Sequence, residues 1–141
     1  MLKNVLLVDD DDVTLMICKL RLKKSQFCEE VHTADNGEEA IQFFKNQLSL
    51  SEVERSIPEL IFLDINMPII NGWDFLDEFE KSYSGFFPNV KIKILSSSVD
   101  PKDLEKASNH PLIMGFITKP LTDDNLKDLL NSNELKSLQG M

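Results

Sequence analysis

The sequence predicts an α/β fold, a three-layer (βα)5 doubly wound sandwich built on a five-stranded parallel sheet. Three observations predict it. Five short apolar runs, at 4–8, 29–33, 60–63, 91–95 and 113–117, alternate with stretches of helical character. Three of the runs are nearly continuous in Val, Ile, Leu and Phe, as strands covered on both faces require. Strand followed by helix, repeated along the chain, implies right-handed crossovers and helices on both sides of a parallel sheet.

The first strand, 4–8, runs into four aspartates, Asp9-Asp10-Asp11-Asp12, and a helix is expected over 12–25 with Asp11 and Asp12 at its cap. The second strand, 29–33, leads to a helix over 36–47. Asn36 is its N-cap, and Glu38 and Glu39 lie in the first turn, where the helix dipole favours negative charge. Ala40, Ile41, Phe43, Phe44 and Leu48 supply its buried stripe. The third strand, 60–63, ends at Asp64, and a helix follows over 72–84 with Phe75 and Phe79 at core spacing. Trp73 is left without an assigned burial. The fourth strand, 91–95, passes into Ser96-Ser97-Ser98, and Asp100-Pro101 opens a helix over 100–108. The fifth strand, 113–117, ends in Thr118-Lys119-Pro120, and Thr122 with Asp123 and Asp124 starts a helix over 122–131. The connection 48–58 has no assigned structure, and 133–141 reads as a short tail.

Composition narrows the function. The 141 residues suit a single domain over 1–141, and 42% hydrophobic with 28% charged residues is globular composition. Lys+Arg number 15 against 24 Asp+Glu, a net charge of −9, which argues against direct nucleic-acid binding. No apolar run approaches the roughly 20 residues of a membrane span, and no secretory leader is present, so a cytoplasmic location without membrane insertion is expected. Cys18 and Cys28 lack disulfide-framework or metal-site spacing and read as structural. His32 and His110 have no motif around them and read the same way.

Chemistry is expected at the carboxyl ends of the strands, near the point where the strand order reverses. Asp9 and Asp10 offer hard oxygen ligands of the kind that suit Mg²⁺. Asp64 would face them from the third strand, and three converging carboxylates require a compensating cation and a nearby lysine. Lys119 supplies a point charge typical of phosphate binding, and Ser96 a hydroxyl at the same rim.

On these residues the sequence resembles a response regulator receiver domain, the phosphoacceptor module of two-component signalling. The motifs are Leu7-Val8-Asp9-Asp10, Asp35-Asn36-Gly37-Glu38-Glu39-Ala40, Asp64-Ile65-Asn66-Met67-Pro68 with Asn71-Gly72, Leu95-Ser96 and Lys119-Pro120. The resemblance runs from Val5 to about Leu130. It implies a flavodoxin-like strand order, 2-1-3-4-5. It also implies that Asp64 accepts a phosphoryl group from a sensor histidine kinase or a histidine phosphotransfer protein. Asp10, Asp64 and the backbone carbonyl of Asn66 would hold Mg²⁺, with Mn²⁺ as the alternative ion and Asp9 acting through water. Ser96 and Lys119 would contact the phosphoryl oxygens, and Phe116 occupies the aromatic switch position. Catalysis would be confined to the domain's own phosphorylation and dephosphorylation, with output through a downstream target protein or by relay to another histidine.

The chain departs from the family where Ser96 replaces the frequent threonine and Phe116 the frequent tyrosine. The 48–58 connection is longer than usual, and Asn109-His110-Pro111 is unusual. Two other readings compete. An aspartyl-phosphate phosphohydrolase needs a second acid two residues after its nucleophile, where this chain has Asn66. A phosphate-independent binding module would lack one of Asp10, Asp64 and Lys119, and all three are present.

Overall fold

In the computed structural model, residues 1–97, 100–132 and 135 are described. Five strands, β1 (Leu2–Val8), β2 (Cys28–Ala34), β3 (Leu60–Leu63), β4 (Lys91–Ser96) and β5 (Ile113–Thr118), form one sheet in the order β2-β1-β3-β4-β5. Every pairing is parallel. Five helices join them: α1 (Asp12–Lys24), α2 (Gly37–Leu48), α3 (Gly72–Ser82), α4 (Pro101–Ser108) and α5 (Asp123–Leu130). The expected fold class and strand order are those observed. Four strands extend one or two residues past their apolar runs, and among the added residues Leu2, Cys28 and Ala34 are buried in the core. The tail reading at 133–141 falls largely outside the described residues, as does Ser98.

The helices form as their caps dictate. Asp11, Asn36, Asn71, Asp100 and Thr122 each accept a backbone N–H of the following helix. Leu15, Cys18 and Leu22 of α1 and Leu126 and Leu129 of α5 cover one face of the sheet. Ala40 and Phe44 of α2 and Phe75, Leu76 and Phe79 of α3 cover the other. Phe44 anchors that second layer, with its ring 4.8 Å from Phe79 in an edge-on arrangement. Phe43 lies at the rim of the layer, 5.3 Å from the His32 ring.

The 48–58 connection is ordered by side chains. It contains one 3₁₀ turn, Glu52–Glu54. Arg55 Nε donates to the carbonyls of Gln47 at 2.9 Å and Leu50 at 3.2 Å, tying the connection back to the end of α2. Gln47 Oε1 accepts the Ser56 N–H at 2.8 Å.

The strand order reverses between β1 and β3, since the chain first steps outward to β2 and then returns to the other side of β1. Their carboxyl ends therefore flank a crevice, and all four residues of β3 are buried.

Candidate functional site

Asp9 and Asp64 stand one residue past β1 and β3, which the register aligns as Val8 opposite Leu63. The Asp64 N–H donates to the Val8 carbonyl at 2.9 Å, extending the ladder to the site. Asp9 and Asp64 are buried and Asp10 is exposed, and one carboxylate oxygen from each lies within 4.8 Å of the others. Lys119 reaches in from the end of β5, with Nζ 2.6 Å from Asp9 Oδ2 and 3.5 Å from Asp64 Oδ2. Ser96 is fully buried at the end of β4, and its backbone carbonyl accepts the Lys119 N–H at 2.9 Å.

The loop after β3 is folded around Asp64. The Asn66 N–H donates to Asp64 Oδ1 at 3.0 Å, and Asn66 Nδ2 donates to Ser96 Oγ at 3.2 Å. Gly72 closes the loop: its N–H donates to the Ile65 carbonyl at 3.2 Å, and a Cβ there would stand 2.6 Å from Ile65 Cα. Only glycine permits that approach. The capping box between Asn71 and Asp74 then starts α3.

Electrostatics follow from the crowding. Burial pushes the Asp64 carboxyl above its ordinary value, although the Asn66 N–H and Lys119 act to lower it. Burial alone would lower the Lys119 ammonium, but its hydrogen bond to Asp9 and the two carboxylate charges carry it above its ordinary value. One ammonium cannot neutralise three carboxylates. A hard divalent cation fits the remainder, because the oxygen donors already converge and exposed Asp10 leaves room for bound water.

The structure thus places Asp9, Asp10, Asp64, Asn66, Ser96 and Lys119 around one crevice. Phe116 is not in it. The residue is half-buried, paired with Ile94 of β4, and packs against the apolar cluster on that face of the sheet. The Asn66 side chain is a contact that sequence reasoning missed, since only its backbone carbonyl had been assigned. An amide two residues past the central aspartate was the available signal. Asp11 is a pure cap, bonded to Thr14 Oγ1 and to the Val13 N–H. Cys18 and Cys28 are buried and unbridged.

A doubly wound five-stranded parallel sheet with an acidic crevice and one lysine at its strand ends defines the class of flavodoxin-like α/β domains. The chain belongs to the response regulator receiver domain family, whose model matches residues 5–131. It is 30% identical over 129 residues to the chemotaxis protein CheY of Thermotoga maritima, covering 92% of this chain and 95% of that one. It is 33% identical over 119 residues to a protein-glutamate methylesterase/protein-glutamine glutaminase of Bacillus subtilis, of which it spans 29%. A two component response regulator from Cytophaga hutchinsonii superposes with a TM-score of 0.84 at 31% identity, covering 98% of both chains. Among the described residues no helix is long and apolar enough to cross a membrane.

Proposed function

We propose that the chain is a phosphorylation-dependent signalling switch whose phosphoacceptor is Asp64. The carrying observation is Lys119 Nζ set between Asp9 and Asp64 at 2.6 and 3.5 Å, with the buried Ser96 hydroxyl tied to the same loop through Asn66. A carboxylate oxygen of Asp64 attacks the phosphorus of a donor phosphohistidine. The O–P bond forms as the donor P–N bond breaks, and the electron pair leaves on the imidazole nitrogen, which takes up a proton from solvent. Asp10, Asp64 and the Asn66 carbonyl would hold Mg²⁺ directly, with Asp9 through water, and Mn²⁺ suits the same oxygens. When bound, the cation supplies charge neutralisation for the phosphoryl oxygens. Lys119 orients those oxygens, and Ser96 exchanges its Asn66 hydrogen bond for one to the phosphoryl group. Phosphoryl transfer of this kind is positioning plus electrostatics, which these side chains provide. Phe116 lies beyond Ser96 as the element that reads the change.

The donor in this reading is a protein, a sensor kinase or phosphotransfer protein. Val13, Met16, Ile17 and Leu20, at helical spacing on α1, are each at least half exposed. They form an apolar stripe that starts beside Asp11 and runs about 10 Å away from the crevice. Lys23 and Lys24 stand exposed at its far end, so an apolar partner surface with acidic residues at that end fits it. Intact mass after incubation with acetyl phosphate and Mg²⁺ tests the site: one phosphoryl adduct is expected, absent in Asp64→Asn. An adduct of equal yield in that variant would overturn the assignment. Leu20→Asp should keep labelling by acetyl phosphate while losing at least tenfold in transfer from a phosphorylated histidine protein.

A further inference from the structure

We propose that Trp73 is a positioning residue for the switch, its indole tying α4 to α3 through Asp103 and Lys106 and opposing the arrangement in which Ser96 engages a phosphoryl group. This rests on the reading of Asp64 as phosphoacceptor.

Apolar burial does little to hold α4. The helix has eight residues, of which only Ala107 is buried, and its one large apolar side chain, Leu104, is 42% exposed. Polar contacts to Trp73 add to the packing of α4 along β5. The indole Nε1–H donates to Asp103 Oδ1 at 3.1 Å, and Lys106 Nζ lies 4.7 Å from the ring centroid, within cation–π range. Asp103 and Lys106 are three residues apart and share one helix face, so a single indole grips a whole turn of α4.

Trp73 itself is firmly held. It follows Gly72, which is pressed against Ile65 and the Asp64 carbonyl. Its ring packs against the same apolar layer that receives Phe116, Leu112 and Ile113. α4 begins close to the site by a second route, because β4 ends at Ser96 and Asp100 already caps α4. When the Ser96 hydroxyl leaves Asn66 for a phosphoryl oxygen, the end of β4 and the start of α4 shift together. The Trp73 contacts tie α4 to α3 in the arrangement where Ser96 is bonded to Asn66. Contacts made in one arrangement and lost in the other lower the apparent affinity for whatever selects the second.

Trp73 is the only tryptophan of the chain, so its emission reports on the latch directly. The phosphoryl mimic beryllofluoride is titrated with Mg²⁺ into wild type, Trp73→Phe, Asp103→Leu, Asp103→Asn and Lys106→Met. Bound mimic is followed by fluorine NMR, and folding by thermal melting. The expected result is an emission change in wild type on saturation. Trp73→Phe, Asp103→Leu and Lys106→Met should each bind about fivefold more tightly, the scale of one hydrogen bond or cation–π contact. Asp103→Asn keeps an acceptor oxygen and should stay near wild type. Unchanged or weaker affinity in the three folded variants overturns the proposal. Asp64 labelled by acetyl phosphate with flat Trp73 emission overturns the latch alone, whereas no labelling and no bound mimic overturns the phosphoacceptor reading and the latch with it.

Discussion

His32 shows how little a residue type says without its surroundings. It lies against the Phe43 ring with Nε2 3.0 Å from Asn4 Oδ1, a packed strand residue remote from the crevice. Burial holds its imidazole below the ordinary 6.5, partly offset by Glu30. A folded-state value below the unfolded one means that the unfolded chain takes up the proton first as pH falls. His32 should therefore cost stability as pH drops below about 6.5. Urea midpoints at pH 7.5 and 5.5 check this: wild type should lose more over that interval than His32→Gln, and equal losses would show that the ring titrates as if exposed. Cys28 has the opposite consequence. Burial pushes its thiol up to about 11. It should resist alkylation in the native protein at pH 8 and react on unfolding.

At the scale of elements, caps and strand ends were legible because their signals are local. Asn36, Asp100 and Thr122 declare the starts of α2, α4 and α5 within a four-residue window. The aspartates and Lys119 declare themselves as polar residues ending apolar strands. The two faces of α1 could have been read but were not: Leu15, Cys18 and Leu22 form the buried stripe, while Val13, Met16, Ile17 and Leu20 form an exposed one. The contacts of Arg55 and Trp73 were not legible, because each joins elements whose spacing only the folded chain sets. Two substitutions follow at this scale. Arg55→Ala should fray the end of α2 and loosen the 48–58 connection at a cost of about 1 kcal/mol, read as faster amide exchange confined to that region. Gly72→Ala drives a Cβ into the backbone under Asp64 and should cost about 1–3 kcal/mol, measured by denaturant unfolding. Labelling of Asp64 should fall in the same variant, since the added Cβ would also stand 2.8 Å from the Asp64 carbonyl oxygen.

Across the whole molecule, two apolar layers hold the sheet from both sides, and the polar crevice opens only where the strand order reverses. That geometry concentrates like charge at one end of a chain already at −9. Asp9, Asp10 and Asp64 repel one another against a single ammonium, so the site works against the stability of the fold around it. Two consequences can be measured together. In metal-free buffer Asp10→Asn should be more stable than wild type, by about 0.5–1 kcal/mol, because it removes one of three repelling charges. With Mg²⁺ the order should reverse. A cation bound by the folded chain and not by the unfolded one stabilises by RT ln(1 + [L]/Kd), about 2.7 kcal/mol at a hundredfold excess over Kd. Wild type should show that gain and Asp10→Asn little of it, in thermal melts run against Na⁺ at matched ionic strength. Equal gains in both proteins would mean that Mg²⁺ acts by screening the net charge, and would remove the crevice from the account of cation binding.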